Sequence, residues 1–224
     1  MNLRSHRLEL TTHTGNQVVE CVEAIFHTIF INRAVGKLSY KTESTFREAC
    51  QRFEDVDCDF VDLSYARLES PRLAETVRTA STSFADELYS AQDEAKSTET
   101  ITGEISLEFL QKRPVVGMMS LFRTNVPVVW ERWSVNVGLS LASRSCGQQA
   151  ILRENVSDAL CERLIAVSRL TCSDDCYLPK MPKRDEVHLV FDASFGDYLY
   201  PYLFKISHGI DSPLAMRLRI LRPN

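Results

Sequence analysis

The sequence predicts an α+β fold, with helices packed against a largely antiparallel sheet. Three observations carry this. Amphipathic helical stripes occur at three separate places, over about Gln17–Arg33, from Ser70-Pro71 through Leu88, and over about Gln148–Leu170. Period-two runs lie between and after them, the cleanest being Trp133–Leu141. The strand-like runs also group as hairpins instead of alternating singly with helices, which favours antiparallel pairing over a doubly wound sheet.

Taken in order, the chain opens on a short alternating run carrying Leu8 and Leu10. Gly15-Asn16 introduces the first helix, in which Val18, Val22, Ile25, Phe26, Ile29 and Phe30 form one stripe, and Gly36 is placed to stop it. Lys37–Lys41 reads as a polar turn. Val56–Leu68 reads as one strand whose apolar phase switches from Val56, Cys58 and Phe60 to Val61, Leu63 and Tyr65. Ser70 is a good N-cap with Pro71 at the first helical position, and Leu73, Val77, Ala80, Phe84 and Leu88 make that helix's apolar face. Gln92–Thr102 reads as a loop, and Ile105, Leu107 and Phe109 then alternate with Glu104, Ser106 and Glu108 as a half-buried strand. Pro114–Pro127 reads as a second loop. The third helix carries Leu152, Val156, Ala159, Leu160, Leu164, Val167 and Leu170 on one face. A turn at Leu178–Pro182, a strand over Tyr200–Ser207 and a basic tail complete the chain.

The 224 residues fit one domain, 1–224, with a tail from about 212 to 224. At 44% hydrophobic and 25% charged, the composition excludes a disordered chain, a collagenous one and a coiled-coil rod. The net charge of −4 gives no basic field for nucleic acid. The polar start and the lack of a long apolar run lead us to expect a cytoplasmic protein whose seven cysteines are reduced.

Motifs that carry chemistry are sparse. With eight glycines there is no Gly-x-Gly-x-x-Gly and no Walker loop, and Gly-x-Ser-x-Gly and His-Glu-x-x-His are absent. Cys172 and Cys176, with His188 downstream, are the best zinc candidates, as in a small metal-dependent enzyme. They lack a second cysteine knuckle, so two small apolar residues flanking an acidic turn is the preferred reading. Glu23 and His27, four apart on the first helix, read as a solvated helical pair, and Asp57 and Asp59 as an exposed acidic strand face. We therefore expect no catalytic residues, no metal and no cofactor.

Misplaced apolar residues say more. Ile165 on the third helix and Ile31 on the first fall opposite the apolar stripes, where either a second core layer or a partner would cover them. The loop Pro114–Pro127 concentrates Val115, Val116, Met118, Met119, Leu121 and Phe122. Each such side chain gains about 1.5–3 kcal/mol on full burial, so the loop either folds onto the core or docks on another protein. The tail interleaves Arg217, Arg219 and Arg222 with Leu214, Met216, Leu218, Ile220 and Leu221. That pattern suits an ordinary edge strand or solvated tail, or else an amphipathic segment for a partner or for peripheral membrane contact at most.

Six segments, in sequence order, resemble the autophagy-related protein 101 family. They are Gly15-Asn16-Gln17-Val18-Val19-Glu20, Val56-Asp57-Cys58-Asp59-Phe60-Val61-Asp62, Ile105–Lys112, Tyr177-Leu178-Pro179-Lys180-Met181-Pro182, Val190-Phe191-Asp192 and Pro201–Ser207. The resemblance implies a HORMA domain, three helices on a sheet, without enzymatic activity. It implies an adaptor that pairs with, and stabilises, the HORMA domain of autophagy-related protein 13 in the kinase complex that initiates autophagosome formation. The expected location is the cytoplasm, at the site of autophagosome formation (the preautophagosomal structure). The family carries a Trp-Pro-Phe finger for downstream factors between the strands ending near Lys112 and starting near Trp130. This chain has no Trp-Pro-Phe, and Met118, Met119, Leu121 and Phe122 stand at that place as the expected partner-binding loop. Ile31, Asn32 and Ile165 are the expected dimer contacts.

Overall fold

The structure, a computed structural model, describes residues 3–95, 100–116, 123–140, 146–173, 176–195 and 198–210. Strand β1 (Arg4–Thr12) alternates as its sequence does, burying His6, Leu8, Leu10 and Thr12. Thr14, in extended conformation, caps α1 (Gly15–Ile31) by accepting the Gln17 N–H at 3.1 Å. The six stripe residues of α1 are completely buried, and so are Cys21 and Ala24 on the other side, with His27 almost so. Such a helix, covered all round, runs through the middle of a fold. It ends at Asn32, earlier than Gly36.

Three short hairpin-like pairs surround this centre: β2 (Ala34–Gly36) with β9 (Leu199–Pro201), β3 (Leu38–Tyr40) with β4 (Phe46–Glu48), and β5 (Phe53–Asp57) with β6 (Ser64–Leu68). They revise three readings of the sequence. Lys37–Lys41 is mostly strand. Gly36 sits within β2, where a Cβ would come 1.8 Å from the Ala49 carbonyl oxygen, so close backbone approach is what requires glycine. Val56–Leu68 is two strands, and the switch in apolar phase is the turn between them.

Helix α2 (Pro71–Ala95) begins as expected, with Ser70 Oγ accepting the Leu73 N–H at 3.4 Å. It continues into the stretch assigned to a loop. Strands β7 (Ile101–Val116) and β8 (Arg123–Leu139) form a long hairpin, and α3 (Cys146–Thr171) follows. Two 3-10 turns, Arg184–Leu189 and Ala193–Phe195, lead to β9 and then β10 (Phe204–Ile210).

The main sheet runs β1-β8-β7-β10; β1 lies parallel to β8, and the other two pairings are antiparallel. Ile105, Leu107, Phe109, Trp133, Val135, Val137 and Leu139 are all fully buried, and their alternating neighbours include Glu104, Arg132 and Asn136. The sheet is thus apolar on the face that meets the helices and polar on the other. A register shift after Phe109 inserts Trp130 as an extra residue of β8. The bulge turns Trp130 inward, where it packs on Phe109 and Tyr202 with ring centroids 5.6 and 5.2 Å away.

Among the described residues the hairpin beyond the bulge is two-stranded, because β10 pairs only with Gly103–Phe109 and β1 only with Glu131–Leu139. Pro114 and Pro127 lie in this arm, paired with Asn125 and Lys112. An arm without outer neighbours accepts proline, which lacks the N–H an inner strand would need. The expected loop Pro114–Pro127 is therefore mostly strand. Met118, Met119, Leu121 and Phe122 lie between the ends of β7 and β8, outside the described residues.

Candidate protein-binding surface

The end of α1 is held by a buried ion pair. Arg33 and Glu131 are each 1% exposed, and the guanidinium bridges the carboxylate with Nε at 2.6 Å and Nη2 at 2.9 Å. Burial by itself would raise the Glu131 pKa. The hydrogen bonds and charge of Arg33, with His6 alongside, outweigh it and hold the carboxyl down at about 2. His6 Nε2 lies 3.5 Å from Glu131, and the His6 ring stacks on Trp133 at 4.0 Å. The pair joins residues 98 positions apart and fixes α1 to β8.

From this anchor the contacts run outward. Arg33 Nη2 donates to Cys176 Sγ at 2.9 Å and Nη1 to the Asn32 carbonyl at 2.8 Å. Asn32 caps α1, its N–H reaching the Ile29 and Phe30 carbonyls and its Nδ2 the Thr28 carbonyl at 3.2 Å. Its Oδ1 accepts from Cys172 Sγ at 3.6 Å. Asn32 is thus half-buried and tied on both ends of its amide. Ile31 is half-buried and packs against the core. Ile165 is 47% exposed on α3. Seven residues separate it from Cys172, about 10 Å along the helix axis.

Sequence reasoning missed the segment that follows α3. Tyr177, Leu178 and Met181 are exposed, while Pro179 between them and Pro182 after them are buried. The sequence reads this stretch as a turn; the structure shows an irregular segment, tethered by Tyr177 against Trp130 (6.2 Å) and by Tyr40 Oη donating to the Pro182 carbonyl at 2.7 Å. Cys176 connects it directly to Arg33. The α1 end and the 176–182 segment therefore form one surface, with three large apolar side chains facing solvent. Alternation of proline with exposed apolar residues was the signal available for it.

The metal reading fails on geometry. Cys172, Cys176 and His188 do not converge, and among the described residues no three His, Cys, Asp or Glu side chains are grouped as ligands. The thiols serve the contacts just described, and His188 is exposed on a 3-10 turn. The Glu23–His27 pair is not solvated either: both side chains are buried on α1. Burial, with Arg67 adding to it, lowers the His27 pKa to about 4. No helix among the described residues is long and apolar enough to cross a membrane. Arg217, Arg219 and Arg222 lie outside the described residues.

Comparison with known proteins agrees with the resemblance found in the sequence. The family profile of autophagy-related protein 101 matches residues 10–185. Curated autophagy-related protein 101 sequences from Mus musculus, Xenopus tropicalis and Homo sapiens are each 36% identical over 216 residues, covering 96% of this chain and 92% of the relative. A match that runs nearly end to end, on an α+β fold of three helices and a mixed sheet, leaves one conclusion: the chain belongs to the autophagy-related protein 101 family and has a role in autophagy.

Proposed function

We propose that this chain is a non-enzymatic adaptor forming a single HORMA domain, residues 1–224, with a C-terminal tail from about 212. It pairs with the HORMA domain of autophagy-related protein 13 within the autophagy-initiation kinase complex. Its work is cytoplasmic, at the site where autophagosomes form. The end-to-end family match is the observation that carries this reading. The exposed apolar surface at the α1 end, with Tyr177, Leu178 and Met181, supports a protein contact there, and Ile31, Asn32 and Ile165 remain the proposed dimer contacts from the helices. Met118, Met119, Leu121 and Phe122, between β7 and β8 in the sequence, remain the proposed recruiting loop, where methionine gives an adaptable anchor.

The physical role follows from mass action. A species that binds only the folded form of a labile partner stabilises it by RT ln(1 + [L]/Kd), about 2.7 kcal/mol at a hundredfold excess over Kd. The test is the melting of the isolated HORMA domain of autophagy-related protein 13 with increasing amounts of this chain. A midpoint that climbs with concentration supports the adaptor. A midpoint that stays fixed at saturating concentration contradicts it.

A further inference from the structure

The N-terminal half of α1, the β5–β6 hairpin and α2 enclose an open pocket of about 550 Å³, within the range of small-ligand sites. Among the described residues, five carboxylates line it, those of Glu20, Glu23, Asp57, Asp59 and Asp86, against the single cation Arg78. Phe60 and Tyr89 also line it, and at 43% and 49% exposed their rings are open to an incoming group.

Acidic side chains on a surface usually mean only solvation. Here the deeper wall is different. Glu23 is 8% and Tyr65 6% exposed, both line the pocket, and neither Glu23 Oε1 nor Tyr65 Oη has a hydrogen-bond partner. The ring of His27 stacks behind Tyr65 at 6.0 Å, and its Nδ1 is unpaired as well. Leaving buried polar atoms unpaired is costly, and two on one pocket wall ask for a donor that reaches both.

Glu20 and Asp57 shape the rim. Glu20 accepts the backbone N–H groups of Asp59 at 2.7 Å and Phe60 at 2.9 Å, which folds the loop after β5 over the helix. Asp57 accepts from Ser64 Oγ. Burial raises the Glu23 pKa, with Arg78 and Arg67 pulling it down and Glu20 adding to the rise. An arriving cation therefore favours the charged form of a carboxyl that burial disfavours.

We propose that this pocket binds the guanidinium of an arginine side chain carried by a basic segment of a protein partner, with Glu23 and Tyr65 accepting its N–H groups between the rings of Phe60 and Tyr89. Arginine fits on three counts. It brings five donors and no acceptor, which suits two orphaned acceptors. Its planar cation stacks on aromatic rings, and a lysine ammonium concentrates its donors at one point. The surrounding negative charge repels phosphate, so lipid headgroups and nucleic acid are disfavoured. Glu23 lies nine residues before Asn32, about 14 Å along α1, so the arginine pocket and the proposed dimer surface are separate.

The experiment is a titration of the isotope-labelled chain, followed by NMR, with the pentapeptide Ac-Ala-Ala-Arg-Ala-Ala-NH2 and its lysine and citrulline counterparts. The arginine peptide should shift the amides of Glu20–Glu23 and Cys58–Phe60 and saturate in the millimolar range, the lysine peptide should bind several-fold more weakly, and the citrulline peptide should shift nothing. Glu23→Gln should weaken arginine binding by about tenfold or more. The same variant should melt at or above the wild-type temperature, because it removes a buried carboxylate without removing volume. Arg78→Gln should tighten binding by removing a like charge. Equal shifts from the citrulline peptide, lysine binding as tight as arginine, or an affinity untouched by Glu23→Gln would overturn the proposal.

Discussion

Replacing Glu131 by alanine tests how the end of α1 is fixed. The substitution leaves the Arg33 guanidinium 1% exposed, with no carboxylate to meet it. Breaking a buried pair by removing one partner costs about 3–5 kcal/mol. The titration of Glu131 leads to the same size by another route. A carboxyl moved from 4.5 to about 2 gains about 3 kcal/mol at 1.36 kcal/mol per pKa unit. In a protein of this length each kcal/mol shifts the melting midpoint by about 2–4 °C, so Glu131→Ala should lower it by about 6–20 °C. Calorimetry at neutral pH measures this directly. The pH dependence carries a sign. The folded pKa lies below the unfolded one, so the stabilisation is complete above about 4.5 and is lost as pH falls through about 2. Wild type and variant should therefore converge over that window. The double variant Arg33→Met, Glu131→Met removes both charges and should recover more than half of the loss. A Glu131→Ala protein that melts within about 2 °C of wild type would refute the reasoning, as would a double variant no better than the single.

His27 titrates in the other accessible window. Its pKa is lowered to about 4, so the unfolded chain takes up its proton first and stability declines as pH falls from about 6.5 to 4; chemical denaturation across that range should show the slope, and His27→Leu should flatten it. Gly36→Ala forces a Cβ against the Ala49 carbonyl and should cost about 2 kcal/mol or more, read from the urea midpoint. Ile165→Asp, on an exposed position, should change stability by less than about 0.5 kcal/mol. It should nonetheless weaken the complex with the HORMA partner by about tenfold, by calorimetric titration. Changing Met118, Met119, Leu121 and Phe122 together to serine should leave the melting midpoint and HORMA binding intact while abolishing capture of downstream autophagy factors.

Local pattern was legible and long-range closure was not. The stripes of α1, α2 and α3 were readable because a 3.6-residue period survives whatever else the helix touches. The cover on the second side of α1 was not, since Glu23 and His27 look solvated until α2 and the β5–β6 hairpin close over them. The strand Val56–Leu68 was misread because a tight hairpin and a bulged strand both switch apolar phase. Pro114 and Pro127 suggested a loop because the lack of outer neighbours, which makes proline tolerable there, is a property of the sheet and not of the segment. The Arg33–Glu131 pair joins positions 98 apart, and no window of sequence contains both. The candidate surface was half visible. Periodicity singled out Ile31 and Ile165, and the end of the first helix Asn32, as proposed contacts, and family resemblance pointed to the chain's role, while Tyr177, Leu178 and Met181 needed the fold to show which side chains face out.

The central claim is that this chain acts by pairing with another HORMA domain. Co-expression with the HORMA domain of autophagy-related protein 13, followed by size-exclusion chromatography with light scattering, tests it most directly. A single species whose mass is the sum of one copy of each chain is the predicted result. Two species eluting separately at their individual masses, with both chains folded, would contradict it.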